Sequence, residues 1–194
     1  MSLQILVKAG TITNLSDARY CAGMGVEIIG FPVGKTNNTG LSSTKIKEIA
    51  GWLSGIKIAL EFDEPIFDEK YALEIIQDLN PDYIQLPIAL KQEFRKITSI
   101  PFLLLTNSLE KSENKEDILL YSGNIIHNER ELKELCSHNN VILSSAQIDI
   151  TSIKSILASL NPFGIELKGG TEISPGLKSF DDLSEIFEIL EIED

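Results

Sequence analysis

Short apolar runs recur along the whole chain. They lie at 3–8 (LQILVK), 27–31 (EIIGF), 56–62 (IKIALEF), 82–86 (DYIQL), 101–105 (PFLLL), 117–121 (DILLY), 141–145 (VILSS) and 163–167 (FGIEL). Several are rich in Ile, Leu and Val without strict alternation, the pattern of strands covered on both faces. Between them the apolar positions shift to helical spacing. NLSDARYCAGMG follows the first run with Asn14 or Ser16 as cap, and SSTKIKEIAGWL follows the second with Ser42 or Ser43 as cap. DEKYALEIIQDL places Ala72, Ile75, Ile76 and Leu79 on one face. NERELKELC, ITSIKSILASL and SFDDLSEIFEIL complete the clear helices, the last opening on a Ser and early Asp residues. IALKQEFRKI predicts a short helix, and the polar stretch 108–116 (SLEKSENKE) predicts a loop or a single helical turn.

Alternating strands and helices imply a parallel sheet. Eight such units in 194 residues fit a small α/β fold, a single-domain (β/α)8 TIM barrel spanning 1–194. The rival is a doubly wound open sheet, which often carries a Gly-rich first turn. The first turn here, GTITN, is not a GxGxxG fingerprint. In a barrel, function sits where strands hand over to helices, here at 8–13, 32–41, 62–66, 86–89, 105–112, 121–128, 145–150 and 168–178.

Composition narrows the choices. A net charge of -12 argues against nucleic acid, whose phosphates need a basic stripe. No run approaches the roughly 20 apolar residues of a membrane span, and the start lacks a signal-like apolar segment, so no membrane role is expected. Cys21 and Cys136 make no disulfide framework, which suits a cytoplasmic location. Two separated histidines and two separated cysteines form no metal-ligand cluster, so no metal is expected.

Four stretches, in order, resemble the phosphoribosylanthranilate isomerase family of tryptophan biosynthesis. VKAGTITNLSDA resembles its K-I-C-G-I-T opening and following helix, and EIIGF its second strand ending Gly-Phe. DYIQL resembles its fourth strand, ending Gln-Leu-His-Gly, and FGIELKGGTEISPGLKSFDDL its G-x-D-x-S-S-G-x-E-x-x-P-G-x-K-D segment. The resemblance spans essentially the whole chain. It implies a (β/α)8 barrel without a cofactor, acting on a phosphorylated ribosylamine that carries anthranilate. An acid opens the furanose, and a base then removes the proton from the sugar's C2. In the family the base is the Cys of the first turn and the acid an Asp ending the sixth strand. An Arg after the second strand holds the anthranilate carboxylate, and amides of the last two loops hold phosphate.

The departures fall on that chemistry. Keeping Lys8, Ile12 and Thr13 in register puts Gly10 at the base position, and Tyr121 falls at the acid position. The Arg falls on or near Thr39, and the His of the fourth strand becomes Pro87. Cys21, Cys136 and His138 lie late in their helices, away from the mouth. Substitutes for the acid or base are His127, Glu61 and Asp63, with Glu64 following; the plainer reading of these is a surface histidine and a solvated acidic turn. The resemblance makes Lys8, Thr13, Gln85, Ser144, Ser145, Lys168, Gly169 and Gly170 the candidate ligand and phosphate contacts. Lys8 has a second reading, pairing with a neighbouring carboxylate. Gly169 and Gly170 would form an amide nest before a short helix, with Lys168 adding charge.

Three functions follow. The first is a non-catalytic relative, a pseudoenzyme that binds a phosphorylated small molecule or a protein partner. The second is a diverged barrel with another reaction. The third is an active isomerase with relocated acid and base. General acid and base groups each contribute about 10² to 10⁴ in rate, so their joint loss weighs against the third.

Overall fold

The computed structural model describes residues 2–34, 40–62, 68–144, 148–168, 172–174, 177–178 and 181–192. Eight strands close a barrel in sequence order with every pairing parallel. They are β1 (Leu6–Gly10), β2 (Ile28–Pro32), β3 (Lys57–Glu61), β4 (Tyr83–Pro87), β5 (Phe102–Thr106), β6 (Ile118–Tyr121), β7 (Val141–Leu143) and β8 (Gly164–Lys168). The helices described are α1 (Leu15–Gly23), α2 (Ser43–Ala50), α3 (Glu69–Leu79), α4 (Lys91–Arg95), α5 (Glu129–His138), α6 (Ile153–Leu160) and α7 (Asp181–Leu190). The closed barrel, not the open sheet, is therefore the fold. None of the described helices is long and apolar enough to cross a membrane.

Local chemistry explains the helix ends. Asn14 caps α1 by accepting the Asp17 N–H at 2.9 Å, and Asp68 caps α3 from the Tyr71 N–H at 3.0 Å. Ser42 caps α2 from the Lys45 N–H at 3.3 Å. Each such cap is worth about 1 kcal/mol. At the far ends Asn80 and Asn161 take left-handed conformations, φ 44° and 45°, which asparagine tolerates.

Strand alternation divides the core into two layers. Outward residues such as Val7, Ile29, Leu60, Ile84 and Leu104 pack with the helices. Inward residues Ile28, Ala59, Leu103, Ile118, Leu120 and Ile142 form a smaller inner cluster with Leu6 and Tyr83. The inner cluster fills the bottom and middle of the barrel and leaves polar inward residues for the mouth.

There are two departures from the sequence reading. The first strand starts at Leu6 rather than residue 3, because Leu3 bridges Glu191 and the Gln4 N–H donates to the Leu190 carbonyl, drawing that segment across the bottom face. Between β5 and β6 the chain runs as a loop, one of the two forms expected of the polar stretch 108–116. The Asp117 carboxylate ties the connection down, with Arg95 at 2.7 Å, Lys91 at 3.0 Å and the Phe102 N–H at 3.3 Å. After β8, where a short helix was expected, the described residues form an antiparallel pair, β9 (Glu172–Ser174) and β10 (Leu177–Lys178).

Candidate functional site

The mouth of the barrel is built on a buried ion triplet. Lys8, Glu61 and Glu166 point inward from β1, β3 and β8 and are all almost wholly buried. The Lys8 ammonium donates to Glu61 Oε1 and to Glu166 Oε1, each at 2.6 Å. Burial works against the Lys8 charge, but the two carboxylates outweigh it and hold its pKa above the ordinary lysine value. Burial likewise pushes the Glu166 carboxyl up, and the charge of Lys8, its hydrogen bond and that of Ser144 more than reverse this, so its pKa lies below the ordinary value. Glu166 Oε2 accepts from the Ser144 hydroxyl and lies 3.9 Å from the Lys168 ammonium. With one lysine and two carboxylates the triplet is net negative, and Lys168 at the rim offsets the excess.

The first turn serves this cluster. The Thr11 N–H donates to Glu61 Oε2 at 3.0 Å and its hydroxyl to the same oxygen at 3.3 Å. Thr11 holds φ 56°, a left-handed conformation costly for a β-branched residue. Gly10 and Gly30 are glycines because the triplet occupies their side-chain space. A Cβ on Gly10 would stand 2.6 Å from Glu166 Oε1 and 3.3 Å from Lys8 Nζ. A Cβ on Gly30 would collide with the Glu61 carboxylate and stand 2.9 Å from Lys8 Nζ.

Beside the triplet, at the ends of β6–β8, lies an open cavity of about 400 Å³. Ser122, Ser144, Glu166 and Lys168 supply its polar side, and Ile148, Leu183 and Ile186 face them. Among the lining residues Lys168 is the one cation, with its side chain 61% exposed.

The sequence candidates divide accordingly. Ser144 and Lys168 meet at the cavity. Lys8 takes its second reading: it pairs with carboxylates and has no exposed surface for a ligand. Glu61 is not a solvated mouth carboxylate but the anchor of Lys8 and Thr11. Tyr121 does not face the mouth. Its parity on β6 turns it toward α5, where its hydroxyl accepts from Asn128 Nδ2 at 2.8 Å and donates to the Asn124 carbonyl at 3.4 Å. Ser122, the next residue, lines the cavity instead. His127 is exposed in the turn before α5, and Thr13 is exposed beside α1. Gln85 is buried inside the barrel on β4. Cys21 is buried in α1. Cys136 is half-buried in α5, and burial pushes its thiol up to about 11. Thr39, Asp63, Glu64, Ser145, Gly169 and Gly170 lie outside the described residues.

Sequence reasoning missed Glu166, Ser122 and Thr11. Glu166 carried a usable signal: an acid inside the apolar run FGIEL, covered on both faces, must find a cation. Lys8 sits in the same kind of run and pairs with it in register across β1 and β8.

The fold is similar to solved structures of phosphoribosylanthranilate isomerase. The enzyme from Thermus thermophilus aligns at 21% identity and TM-score 0.72, over 95% of this chain and 97% of that one. The enzyme from Thermotoga maritima aligns at 17% identity and TM-score 0.73, over 95% and 98%. A third structure of this kind, in complex with reduced 1-(o-carboxyphenylamino)-1-deoxyribulose 5-phosphate, aligns at 18% identity and TM-score 0.71, over 95% and 97%. At these identities the likeness is one of fold. No protein-family model and no curated protein sequence matches the chain.

Proposed function

We propose that this barrel is a cytoplasmic, non-catalytic relative of phosphoribosylanthranilate isomerase that binds a phosphorylated small molecule at the β6–β8 side of its mouth. The observation that carries the reading is the buried triplet. An Amadori rearrangement needs an acid and a base free to exchange protons with the sugar. Here Gly10 has no side chain, and both inner carboxylates are committed to Lys8. Glu166 is held ionised by its partners, which makes it a poor proton acceptor near neutral pH.

The phosphate half of the reading rests on the cavity. Lys168 offers a point charge on its rim, and Ser122 and Ser144 bring hydroxyls that can donate to an anion. Gly169 and Gly170 follow Lys168 directly in sequence, where backbone amides suit a phosphate. The isomerase of similar fold was solved with a sugar phosphate derivative, which favours this ligand class.

Two assays test the proposal. A thermal shift series with inorganic phosphate and ribose 5-phosphate should raise the midpoint progressively with ligand concentration, and Lys168→Ala should lose most of the rise. Phosphoribosylanthranilate fluorescence should stay constant in the presence of the protein. Enzymatic loss of that fluorescence would establish the third reading, an active isomerase with relocated groups, and overturn this one.

A further inference from the structure

Resting on that reading of the cavity, we infer that the bound phosphate compound is compact and carries no aryl or acidic arm reaching over the ends of β1–β3. Among the described residues, the inside of the barrel there is filled. Lys8, Glu61 and Glu166 fill it with 0%, 1% and 4% of their surface exposed. The two glycines measure how tightly. Non-bonded carbon contacts sit near 3.5–4.0 Å, yet a single added carbon at Gly10 would come within 2.6 Å of Glu166 Oε1, and one at Gly30 would overlap the Glu61 carboxylate. A space that rejects one methyl group does not admit a ring.

Charge excludes the arm as firmly as bulk does. Lys8 is already shared between two carboxylates. The first-turn amide of Thr11, a donor that could greet an incoming anion, is spent on Glu61. An acidic arm would meet two negative groups with no unclaimed cation in the triplet. Repulsive elements of this kind set specificity as effectively as added contacts do. The ligand is thereby limited to phosphorylated compounds of about the bulk of a pentose phosphate, held between Lys168 and the two serines.

Calorimetric titration of the whole chain separates the possibilities. The probes are inorganic phosphate, ribose 5-phosphate, and 1-(o-carboxyphenylamino)-1-deoxyribulose 5-phosphate. Ribose 5-phosphate should bind at least tenfold more tightly than the compound with the carboxyphenyl arm. Glu61→Ala, which removes bulk and one negative charge from the triplet, should narrow that gap, whereas the same-sized Glu61→Gln should narrow it less. Equal or tighter wild-type binding of the arm-bearing compound overturns the inference while leaving the phosphate site standing. An unchanged gap in folded Glu61→Ala overturns the assignment of exclusion to the triplet. If neither inorganic phosphate nor ribose 5-phosphate binds, the phosphate reading falls and the inference falls with it. Should Glu61→Ala fail to fold, the wild-type comparison alone decides.

Discussion

Replacing Lys8 with methionine isolates the energetics of the mouth. The substitution keeps most of the side-chain volume and deletes the charge. It leaves Glu61 and Glu166 facing each other inside the barrel. Each Oε1 lies 2.6 Å from the same nitrogen, so the two oxygens are at most about 5 Å apart. Breaking a buried pair by removing one partner costs about 3–5 kcal/mol, because the orphaned charge stays desolvated. Two are orphaned here, so Lys8→Met should lose at least that much at pH 7. Domains of this kind have about 5–15 kcal/mol in total, so the variant should sit near its unfolding threshold. The pH slope then gives a signature that lost packing alone cannot mimic. In the wild type the folded Glu166 pKa is depressed, so its contribution is complete above the unfolded value near 4.3 and is lost as pH falls through the folded pKa. The Lys8 contribution runs the other way: it is complete below about 10.4 and is lost as pH rises through the raised folded value. Between pH 7 and pH 5 the triplet therefore leaves wild-type stability nearly flat. In Lys8→Met the carboxylates repel each other and lack a cation, so their folded pKa values rise above the unfolded ones. The folded variant then binds more protons, and its stability should increase as pH falls from 7 to 5. Urea unfolding followed by far-UV circular dichroism at the two pH values reads both effects. A loss under about 1 kcal/mol, or parallel pH slopes for the two proteins, would refute the reasoning. A triple variant adding Glu61→Gln and Glu166→Gln should recover part of the loss, since neutral amides cost less to bury than charges.

The other predictions concern single positions. Gly10→Cys should lower stability by about 1–3 kcal/mol through overpacking against Glu166, and adding Glu166→Asp, one methylene shorter, should return at least half of it in urea midpoints. Thr11→Gly should stay within about 1 kcal/mol of wild type, because relief of the left-handed strain offsets the lost hydroxyl contact and the freer unfolded chain. Thr11→Val keeps the strain and loses the hydroxyl, so its thermal midpoint should fall. Cys136 should react with iodoacetamide at pH 8 more than tenfold slower in the folded protein than in urea, as mass spectrometry can count, because its thiol is pushed up to about 11.

The strand and helix pattern was legible because both periods were strong. β1 and β8 stand side by side in register, as closure of the expected barrel requires. What the pattern hid were side-chain directions at strand ends. Tyr121 and Ser122 are neighbours in sequence, and a strand sends them to opposite faces, so the expected acid position turned to α5 while an unremarked serine reached the cavity. The pairing of Lys8 with both Glu61 and Glu166 was equally hidden. Those residues lie 53 and 158 positions from the lysine, and only closure of the barrel brings them together. The hairpin after β8 escaped because its strands are too short, at three and two residues, to carry any periodicity.

The glycine of the first turn takes its meaning from the far end of the chain. The motifs that the chain resembles carry a cysteine in the first turn and an aspartate in the last strand. This chain has Gly10 and Glu166 at the matching positions. The two differences are linked by volume: the Glu166 carboxylate lies in the space a cysteine side chain at position 10 would need. They are linked by charge as well. Glu61 supplies a second carboxylate, Lys8 bridges both, and the turn gives its Thr11 amide to the new partner. A single substitution at Gly10 does not create a free base here, because its side-chain space is occupied by a packed and paired cluster. Among the described residues, the inside of the barrel at the ends of β1 and β3 is a piece of core. The ends of β6–β8 differ, with Ser122, Ser144 and Lys168 bordering open space.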